Sequence, residues 1–197
     1  MRLLLATHNE HKRREFARIL LGHELETLPA EFALPPEDGE TFAENALIKA
    51  RAAACMSGGL TIADDSGIEA AALGGAPGVR SARYAGEHAS DQQNLEKLLR
   101  EAPAASRLRY VCVIAFVDPK SGREHLVHGT CEGRLEVQSR GDRGFGYDPA
   151  FVPDEGPDEL TMAELTDEQK DAISHRGRAA RALLEWLEAA APELGWG

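Results

Sequence analysis

The most constraining feature of this chain is the apolar run at residues 110–117, which a turn sequence at residues 118–122 follows. The run is rich in β-branched and aromatic residues, as is typical of a buried strand. The turn contains proline and glycine, so the chain should return antiparallel through residues 126–130. Shorter apolar runs at residues 3–6 and 60–63 alternate with helical patterns. The expected fold class is therefore α/β with a mixed β-sheet.

Local signals predict further elements within a single domain, residues 1–197. Two capping boxes, Thr41 with Glu44 and Ser90 with Gln93, mark the starts of helices. The remaining predictions are a short helix near residues 68–73, a strand around residues 135–137, a short capped helix beginning at Thr161, and a final helix capped by Ser174.

Composition narrows the possible functions. The chain has 22 Lys and Arg against 33 Asp and Glu, a net charge of −11. This charge argues against a broad nucleic-acid-binding face, although a local basic pocket or a metal ion could still bind a small polyanion. The three cysteines have no paired spacing, which disfavours disulfides and zinc and suggests a reducing compartment. Because the apolar start is too short for a signal peptide or membrane span, we expect a cytoplasmic protein with no membrane partner.

The loop between the first predicted strand and helix resembles an anion site. A helix start offers free backbone N–H groups and the positive end of the helix dipole. The candidate residues are Thr7, His8, Asn9, Glu10, His11 and Lys12. The loop lacks the glycine pattern of a Walker loop. The alternative is simple helix capping by Asn9, with Lys12 in solvent.

An acidic turn, Asp64-Asp65-Ser66-Gly67, follows the strand predicted at residues 60–63. Ligands usually bind at this end of a strand in α/β sheets. Adjacent strand residues point to opposite faces, so we assign Asp65 to Mg²⁺ binding and water activation, and Asp64 to support of the loop. Mg²⁺ favours one or two carboxylates, so Glu37 is a second candidate ligand, with Glu44 behind it. The alternative is an Asx turn beside a solvated acidic loop.

A glycine-rich segment at residues 144–149 could receive a nucleotide base. Its glycines allow close approach of the backbone, while Phe145 and Tyr147 could stack on a ring. Asp148 could accept a hydrogen bond from a ring N–H. The alternative is a tight turn whose aromatic residues fill the core.

A basic cluster near the C-terminus contains Lys170, His175 and Arg176. With Ser174 as the cap, His175 and Arg176 fall in the first helical turn, where cations oppose the helix dipole. Such a local penalty is expected at functional sites. The alternative is a solvated basic helix start.

Together these motifs resemble the inosine triphosphate pyrophosphatase family. The resemblance covers nearly the whole chain. The matching pieces are Thr7-x-Asn9-x-x-Lys12, Glu37-Asp38-Gly39-x-Thr41-Phe42-x-Glu44-Asn45-Ala46, Ala63-Asp64-Asp65-Ser66-Gly67, Leu73-Gly74-Gly75-x-Pro77-Gly78-x-x-Ser81-Ala82-Arg83-Tyr84, Gly144-Phe145-Gly146-Tyr147-Asp148-Pro149 and Ser174-His175-Arg176.

The resemblance implies hydrolysis of the purine nucleoside triphosphates ITP, dITP and XTP to a monophosphate and pyrophosphate. It implies Mg²⁺ as cofactor and a homodimer whose subunits have an elongated mixed sheet with flanking helices and a central nucleotide cleft between two lobes. Asp65 would be the catalytic base and, with Glu37, a metal ligand. The implied substrate contacts are Thr7 to Lys12 and Ser66 at the triphosphate, Phe145, Gly146, Tyr147 and Asp148 at the base, and Lys170, His175 and Arg176 completing the site.

Two other functions remain open from the sequence. A pyrophosphatase of related fold could prefer modified pyrimidines or standard nucleotides. A non-catalytic nucleotide sensor would keep the base pocket but would not require Asp65 and a metal.

Overall fold

The computed structural model describes residues 1–157 and 159–194. Within them, six strands form one sheet in the order β2-β1-β3-β4-β5-β6. The strands are β1 (Arg2–Leu5), β2 (Glu24–Thr27), β3 (Thr61–Ala70), β4 (Arg107–Asp118), β5 (Arg123–Leu135) and β6 (Phe151–Pro153). Strand β1 is parallel to both β2 and β3, whereas β6 is antiparallel to β5. The predicted mixed sheet is therefore confirmed.

Helices flank the sheet, as predicted. They are α1 (Glu10–Ile19), α2 (Phe42–Ser57), α3 (Asp91–Glu101), α4 (Asp167–Ile173) and α5 (His175–Leu194). Both predicted capping boxes, at Thr41 and at Ser90, are present. In the described part of the chain, no helix combines the length and apolar character that crossing a bilayer requires.

The described chain divides into two compact units. The first contains Met1–Asp65, Cys112–Gly129 and the segment that begins at Arg176. The second contains Ser66–Val111 and Thr130–His175. Each unit has its own buried apolar clusters, so each can hold side chains in fixed positions.

The first unit has an apolar cluster on each face of its strands. In β3, Ile62 packs with residues of α1 and α5, while its neighbour Ala63 packs with residues of α2. This alternation is the period of two that a strand imposes. The two residues that continue β3 are aspartates, and they inherit the same two faces.

The largest difference from the sequence prediction concerns the length of β3. The predicted strand ended at residue 63 with a helix near residues 68–73, but β3 continues to Ala70 and only a 3₁₀ turn, Ala71–Leu73, follows. Asp64 and Asp65 therefore lie inside a strand and not in a turn beyond its end. Polar residues and Gly67 concealed the strand, because its propensity is low there.

Two smaller predictions were also wrong. No separate strand occupies residues 135–137, since β5 ends at Leu135 and Val137 is exposed. Residues 162–164 form a turn. The helix of this region is α4, which begins later, at a capping box of Thr166 and Gln169. Strands β2 and β6 were missed because four and three residues are too short for a periodic signal.

Candidate active site

The two adjacent aspartates of β3 serve different faces of the sheet. Asp64 contacts Lys12 of α1 and Arg176 of α5. Asp65 contacts Asn45 and Lys49 of α2. Strand alternation separates the two carboxylates as the sequence predicted, so each one makes its direct contacts with a different set of side chains.

Asp65 lies in a buried cluster that includes a second carboxylate. Its Oδ2 accepts a hydrogen bond from Asn45 Nδ2 at 3.0 Å, and its Oδ1 is 3.8 Å from Lys49 Nζ. The same ammonium donates a hydrogen bond to Glu37. Glu37 and Asp65 therefore approach one cation.

Burial and charge determine the protonation of this cluster. Burial raises the pKa of Asp65; the nearby charges of Lys49 and Lys12 oppose that rise without cancelling it. Burial alone would lower the pKa of Lys49, but the charges of Asp64, Asp65 and Glu37 outweigh it and the pKa is raised. Lys49 is thus kept protonated beside a carboxylate that binds a proton more readily than an exposed aspartate does.

Asn45 joins Asp65 to the acidic loop. While its Nδ2 donates to Asp65, its Oδ1 accepts a hydrogen bond from Gly39 N at 2.9 Å. A Cβ atom on Gly39 would lie 2.7 Å from Glu44 Cβ and 2.8 Å from Asn45 Oδ1. Only glycine therefore lets the loop after Glu37 approach α2 this closely.

The structure separates the two glutamates that the sequence left as alternatives. Glu44 Oε2 accepts hydrogen bonds from Glu40 N at 2.7 Å and Thr41 N at 3.0 Å, so this carboxylate caps α2. Glu37 instead lies beside Lys49. Of the two, Glu37 is the one near Asp65.

A pair of carboxylates suits Mg²⁺, which takes most of its ligands from water and phosphate oxygens. Glu37 and Asp65 converge on a positive charge, and their oxygens are the hard donors that this ion prefers. Among the described residues, no cluster of three or more His, Cys, Asp or Glu side chains could form a metal cage. The two oxygen-donor side chains that could hold Mg²⁺ here are Glu37 and Asp65.

Asp64 is the centre of a second buried cluster. Its Oδ2 is 2.9 Å from Lys12 Nζ and 3.3 Å from Arg176 Nη2, and Arg176 also donates to Glu15. Burial would raise the pKa of Asp64, but the charges of Lys12, Arg176 and Lys49 outweigh it and hold the pKa well below its usual range. Asp64 is therefore kept ionised by its cations.

The loop from Thr7 to Lys12 is partly used for capping. Thr7 Oγ1 accepts a hydrogen bond from Asn9 N at 3.1 Å, and Asn9 Oδ1 accepts one from Lys12 N at 3.1 Å. Asn9 thus caps α1, as the alternative reading held. The Lys12 side chain, however, is not in solvent, because it is 13% exposed and contacts Asp64.

The other side chains of this loop point to separate partners. His8 Nε2 is 2.8 Å from Phe32 O, and Glu10 pairs with Arg13 at 2.9 Å and with Arg14 at 3.4 Å. His11 is exposed. Lys12 differs from His8 and Glu10 because its side chain contacts an aspartate of β3.

The second unit contains the residues predicted to bind the purine base of the nucleotide. Asp148 is buried, and its Oδ2 accepts hydrogen bonds from Lys170 Nζ at 2.7 Å and Phe145 N at 3.0 Å. Its Oδ1 accepts a hydrogen bond from Tyr110 OH at 3.0 Å. The Tyr110 ring stacks on His175, with 4.5 Å between ring centroids. Asp148, Lys170 and His175 therefore belong to one connected group.

The two aromatic residues of the glycine-rich segment have different environments. Phe145 is half-buried, and Lys170 Nζ lies 5.3 Å from the centroid of its ring. Tyr147 is buried in the core of the second unit and donates a hydrogen bond to Ser81 O at 2.7 Å. For Tyr147 the alternative reading, an aromatic residue that fills the core, is the one observed. Gly146 N donates to Asp91 Oδ2 at 3.0 Å.

The remaining predicted residues are Ser66 and Arg176. Ser66 is half-buried in β3. Arg176 is 1% exposed, and its guanidinium contacts the carboxylates of Asp64 and Glu15 in the first unit. It is thus buried with two carboxylates, and the reading of a solvated basic helix start is wrong.

Comparison with known proteins identifies the family of this chain. The sequence profile of the Ham1 family matches residues 3–186. The chain belongs to the Ham1 family. A relative from Cutibacterium acnes named dITP/XTP pyrophosphatase is 49% identical over 193 residues, which are 93% of this chain and 94% of the relative. A relative of the same name from Symbiobacterium thermophilum is 50% identical and covers 95% of both chains.

Solved structures of Ham1 proteins have the same fold as this Ham1-family chain. The Staphylococcus aureus Ham1 protein has a TM-score of 0.83 at 39% identity, over 96% of this chain and 99% of its own. A Ham1 protein from Coxiella burnetii has a TM-score of 0.84 at 39% identity, over 96% and 100%. The predicted family and fold class are confirmed.

Sequence reasoning missed four residues of this Ham1-family chain that contact predicted site residues, namely Glu15, Asn45, Lys49 and Tyr110. A signal existed for two of them. Asn45 and Lys49 are four residues apart on α2, hence on one face of the helix, and this face borders the buried stripe of Ala46, Ala50 and Ala53. A lysine on an apolar helix face calls for a buried partner. Glu15 and Tyr110 carried no comparable signal.

A substitution at Gly144 tests how closely the glycine-rich segment at residues 144–149 packs against the Asp148 side chain. Its φ is +75°, and a Cβ there would lie 2.1 Å from Asp148 Oδ2. Gly122, in the β4–β5 turn, has a φ of +73° with nothing within 4 Å of a Cβ. Both alanine substitutions incur the left-handed backbone penalty of about 1–2 kcal/mol, and the collision at Gly144 should add roughly 1–3 kcal/mol. Urea denaturation of Gly144→Ala and Gly122→Ala measures the difference. Equal losses would mean that the segment relaxes freely.

Proposed function

We propose that this chain is a Mg²⁺-dependent pyrophosphatase that converts ITP, dITP and XTP to the monophosphate and pyrophosphate. Such an activity keeps deaminated purines out of DNA and RNA. The observation that carries the proposal is the convergence of Glu37 and Asp65 on Lys49, in a chain whose relatives are named dITP/XTP pyrophosphatases.

The reaction needs a nucleophilic water and a stabilised leaving group. Water attacks the α-phosphorus, the bond from that phosphorus to the αβ-bridging oxygen breaks, and pyrophosphate leaves. We assign acceptance of the water proton to Asp65, whose raised pKa suits a general base. Asn45 holds its carboxylate in orientation. Glu37 and Asp65 would hold Mg²⁺, which would supply neutralisation of negative charge on the phosphate oxygens.

Lysines of the first unit are assigned to the polyphosphate. Phosphoryl transfer is promoted mainly by positioning and by charge stabilisation. Lys49 is held at Asp65 and Lys12 at Asp64, so each cation has a defined position. The backbone N–H groups at the start of α1 and the side chain of Ser66 complete the proposed phosphate contacts.

Residues of the second unit are assigned to the purine. A 6-oxopurine presents a carbonyl acceptor and an N1–H donor, whereas adenine presents the reverse pattern. Lys170 and His175 provide donors, and Asp148 provides an acceptor. If adenine entered a buried site of this kind, the polar groups of the site would be left without hydrogen-bond partners. That cost disfavours adenine nucleotides as substrates. A base contact for Arg176, implied by the family resemblance, remains a prediction.

The proposal includes a homodimer in the cytoplasm. Within the described residues Cys55, Cys112 and Cys131 form no disulfide, as suits a reducing compartment. Light scattering after size-exclusion chromatography should give twice the mass of the 21.3 kDa chain. A monomeric mass would remove this part of the proposal and leave the activity unaffected.

A substrate panel tests the proposed activity. With Mg²⁺, pyrophosphate release from ITP, dITP and XTP should exceed that from ATP by at least about 10²-fold in kcat/KM, because adenine mismatches the donors and acceptor of the site. EDTA should abolish turnover. Similar turnover of dTTP, UTP and ITP would favour the pyrimidine or general pyrophosphatase. Nucleotide binding without any pyrophosphate release would favour the sensor.

A further inference from the structure

Tyr110 of β4 makes one hydrogen bond and one ring-stacking contact with residues assigned to binding of the purine base. Its hydroxyl donates a hydrogen bond to Asp148 Oδ1 at 3.0 Å. Its ring stacks on the His175 imidazole, with 4.5 Å between centroids and 6° between planes. One side chain thus contacts both the proposed acceptor for N1–H and a proposed donor to the 6-oxo group.

The position of Tyr110 is itself fixed by packing. The residue is 6% exposed and belongs to the apolar cluster of the second unit. Phe151 of β6 lies against the ring, at a centroid distance of 4.6 Å. A buried ring on a paired strand has little freedom to move, so the hydroxyl and the ring face are presented at constant positions.

The hydrogen bond from Tyr110 completes the restraint on Asp148. Lys170 Nζ and Phe145 N both donate to Oδ2. The bond from Tyr110 to Oδ1 restrains the other oxygen, so that rotation of the carboxylate about the Cβ–Cγ bond would break a hydrogen bond. A carboxylate has about four lone-pair sites; these three bonds occupy three of them, and the fourth, on Oδ1, is the one that could accept a hydrogen bond from a single N–H.

The stacked ring restrains His175 in the same way. Parallel contact with Tyr110 limits the tilt of the imidazole plane, and its ring nitrogens lie in that plane. The aromatic contact thus controls where an N–H of His175 can point.

We propose that Tyr110 is a positioning residue for base selection, which aligns Asp148 and His175 so that they discriminate a 6-oxopurine from adenine. This inference rests on the proposed function, because it takes Asp148 and His175 as the residues that contact the base. Tyr110 itself touches no substrate atom in this scheme and acts through its two neighbours.

The test compares Tyr110→Phe with wild type and with Tyr84→Phe. The control is matched, since Tyr84 OH also donates to a carboxylate, that of Glu101, at a more exposed place in the same unit. Steady-state kinetics with ITP and ATP give the selectivity ratio. Calorimetric binding of IMP and AMP gives a second ratio that does not depend on turnover, and thermal denaturation checks folding.

Tyr110→Phe should raise KM for ITP and lower the ITP-to-ATP selectivity ratio by about tenfold, the usual effect of losing one hydrogen bond to a buried charged group, with a much smaller change in kcat. The IMP-to-AMP binding ratio should fall to a similar extent. Tyr84→Phe should leave both ratios unchanged.

A double-mutant cycle separates positioning from simple packing. In an Asp148→Asn background, Tyr110→Phe should change the selectivity ratio by less than about twofold, because its route of action is already removed. Full additivity of the two substitutions would overturn the inference, as would a lower melting temperature with unchanged selectivity. A wild-type protein that does not prefer ITP would overturn the proposed function first, so the two failures are distinguishable.

Discussion

Replacing Asp65 with asparagine should reduce kcat for ITP by roughly 10²–10⁴-fold, the range that a positioned proton acceptor supplies. The asparagine keeps the shape of the side chain but cannot accept a proton from water, and it weakens the pair of carboxylates assigned to Mg²⁺. The measurement is pyrophosphate release under saturating Mg²⁺ and ITP.

Folding should survive this change. Burial already raises the pKa of Asp65, so the protein gains nothing in stability from the ionised form at this position. The amide oxygen of an asparagine can accept the hydrogen bond from Asn45, and Lys49 keeps Glu37 as a partner. We expect a melting temperature equal to or above that of wild type.

The matched control is Asp154→Asn, which removes an exposed carboxylate paired with Arg107. It should retain full activity. Normal turnover by Asp65→Asn would refute the catalytic assignment, and a partly unfolded Asp65→Asn protein would refute the account of its burial.

Replacing Arg176 with alanine should destabilise the protein by about 3–5 kcal/mol, the range observed when one partner of a buried ion pair is removed. The family resemblance implies a substrate contact for Arg176, whose loss would weaken substrate binding without unfolding the protein. The structure changes that expectation, because Arg176 is 1% exposed and its loss leaves Glu15 and Asp64 buried without this cation. Guanidinium denaturation without nucleotide measures the free energy of unfolding.

Arg51→Ala is the control for a surface pair. Arg51 also donates two hydrogen bonds to a carboxylate, that of Glu124, but its side chain is 56% exposed. Solvent screens this pair, so its removal should cost less than about 1 kcal/mol. If Arg176→Ala destabilised no more than Arg51→Ala, the buried cluster would contribute little to the fold.

The sequence predicted the parts of this protein that follow from periodicity. The mixed sheet follows from the long strand at β4, its turn and the alternation of apolar runs. The separate tasks of Asp64 and Asp65 follow from the period of a strand. Their partners confirm that separation, since Asp64 contacts α1 and α5 while Asp65 contacts α2.

Tertiary contacts were beyond the reach of the sequence. Arg176 and Glu15 are 161 positions apart in the chain, and no local pattern pairs them. Tyr110 looked like one more aromatic residue in a buried strand, because only the folded second unit places its hydroxyl at Asp148. Likewise, β3 appeared to end where its polar residues begin, since ion pairs and not propensity keep those residues inside the sheet.

Gly39 has a consequence for the genetics of this protein. It bears no side chain, yet Glu44 and Asn45 leave no space for one. Any missense change there must displace the loop that carries Glu37 or the amide that orients Asp65. Loss-of-function alleles should therefore arise at a codon whose residue contributes no side chain to the chemistry. A search for such alleles that considers only reactive side chains would overlook this codon.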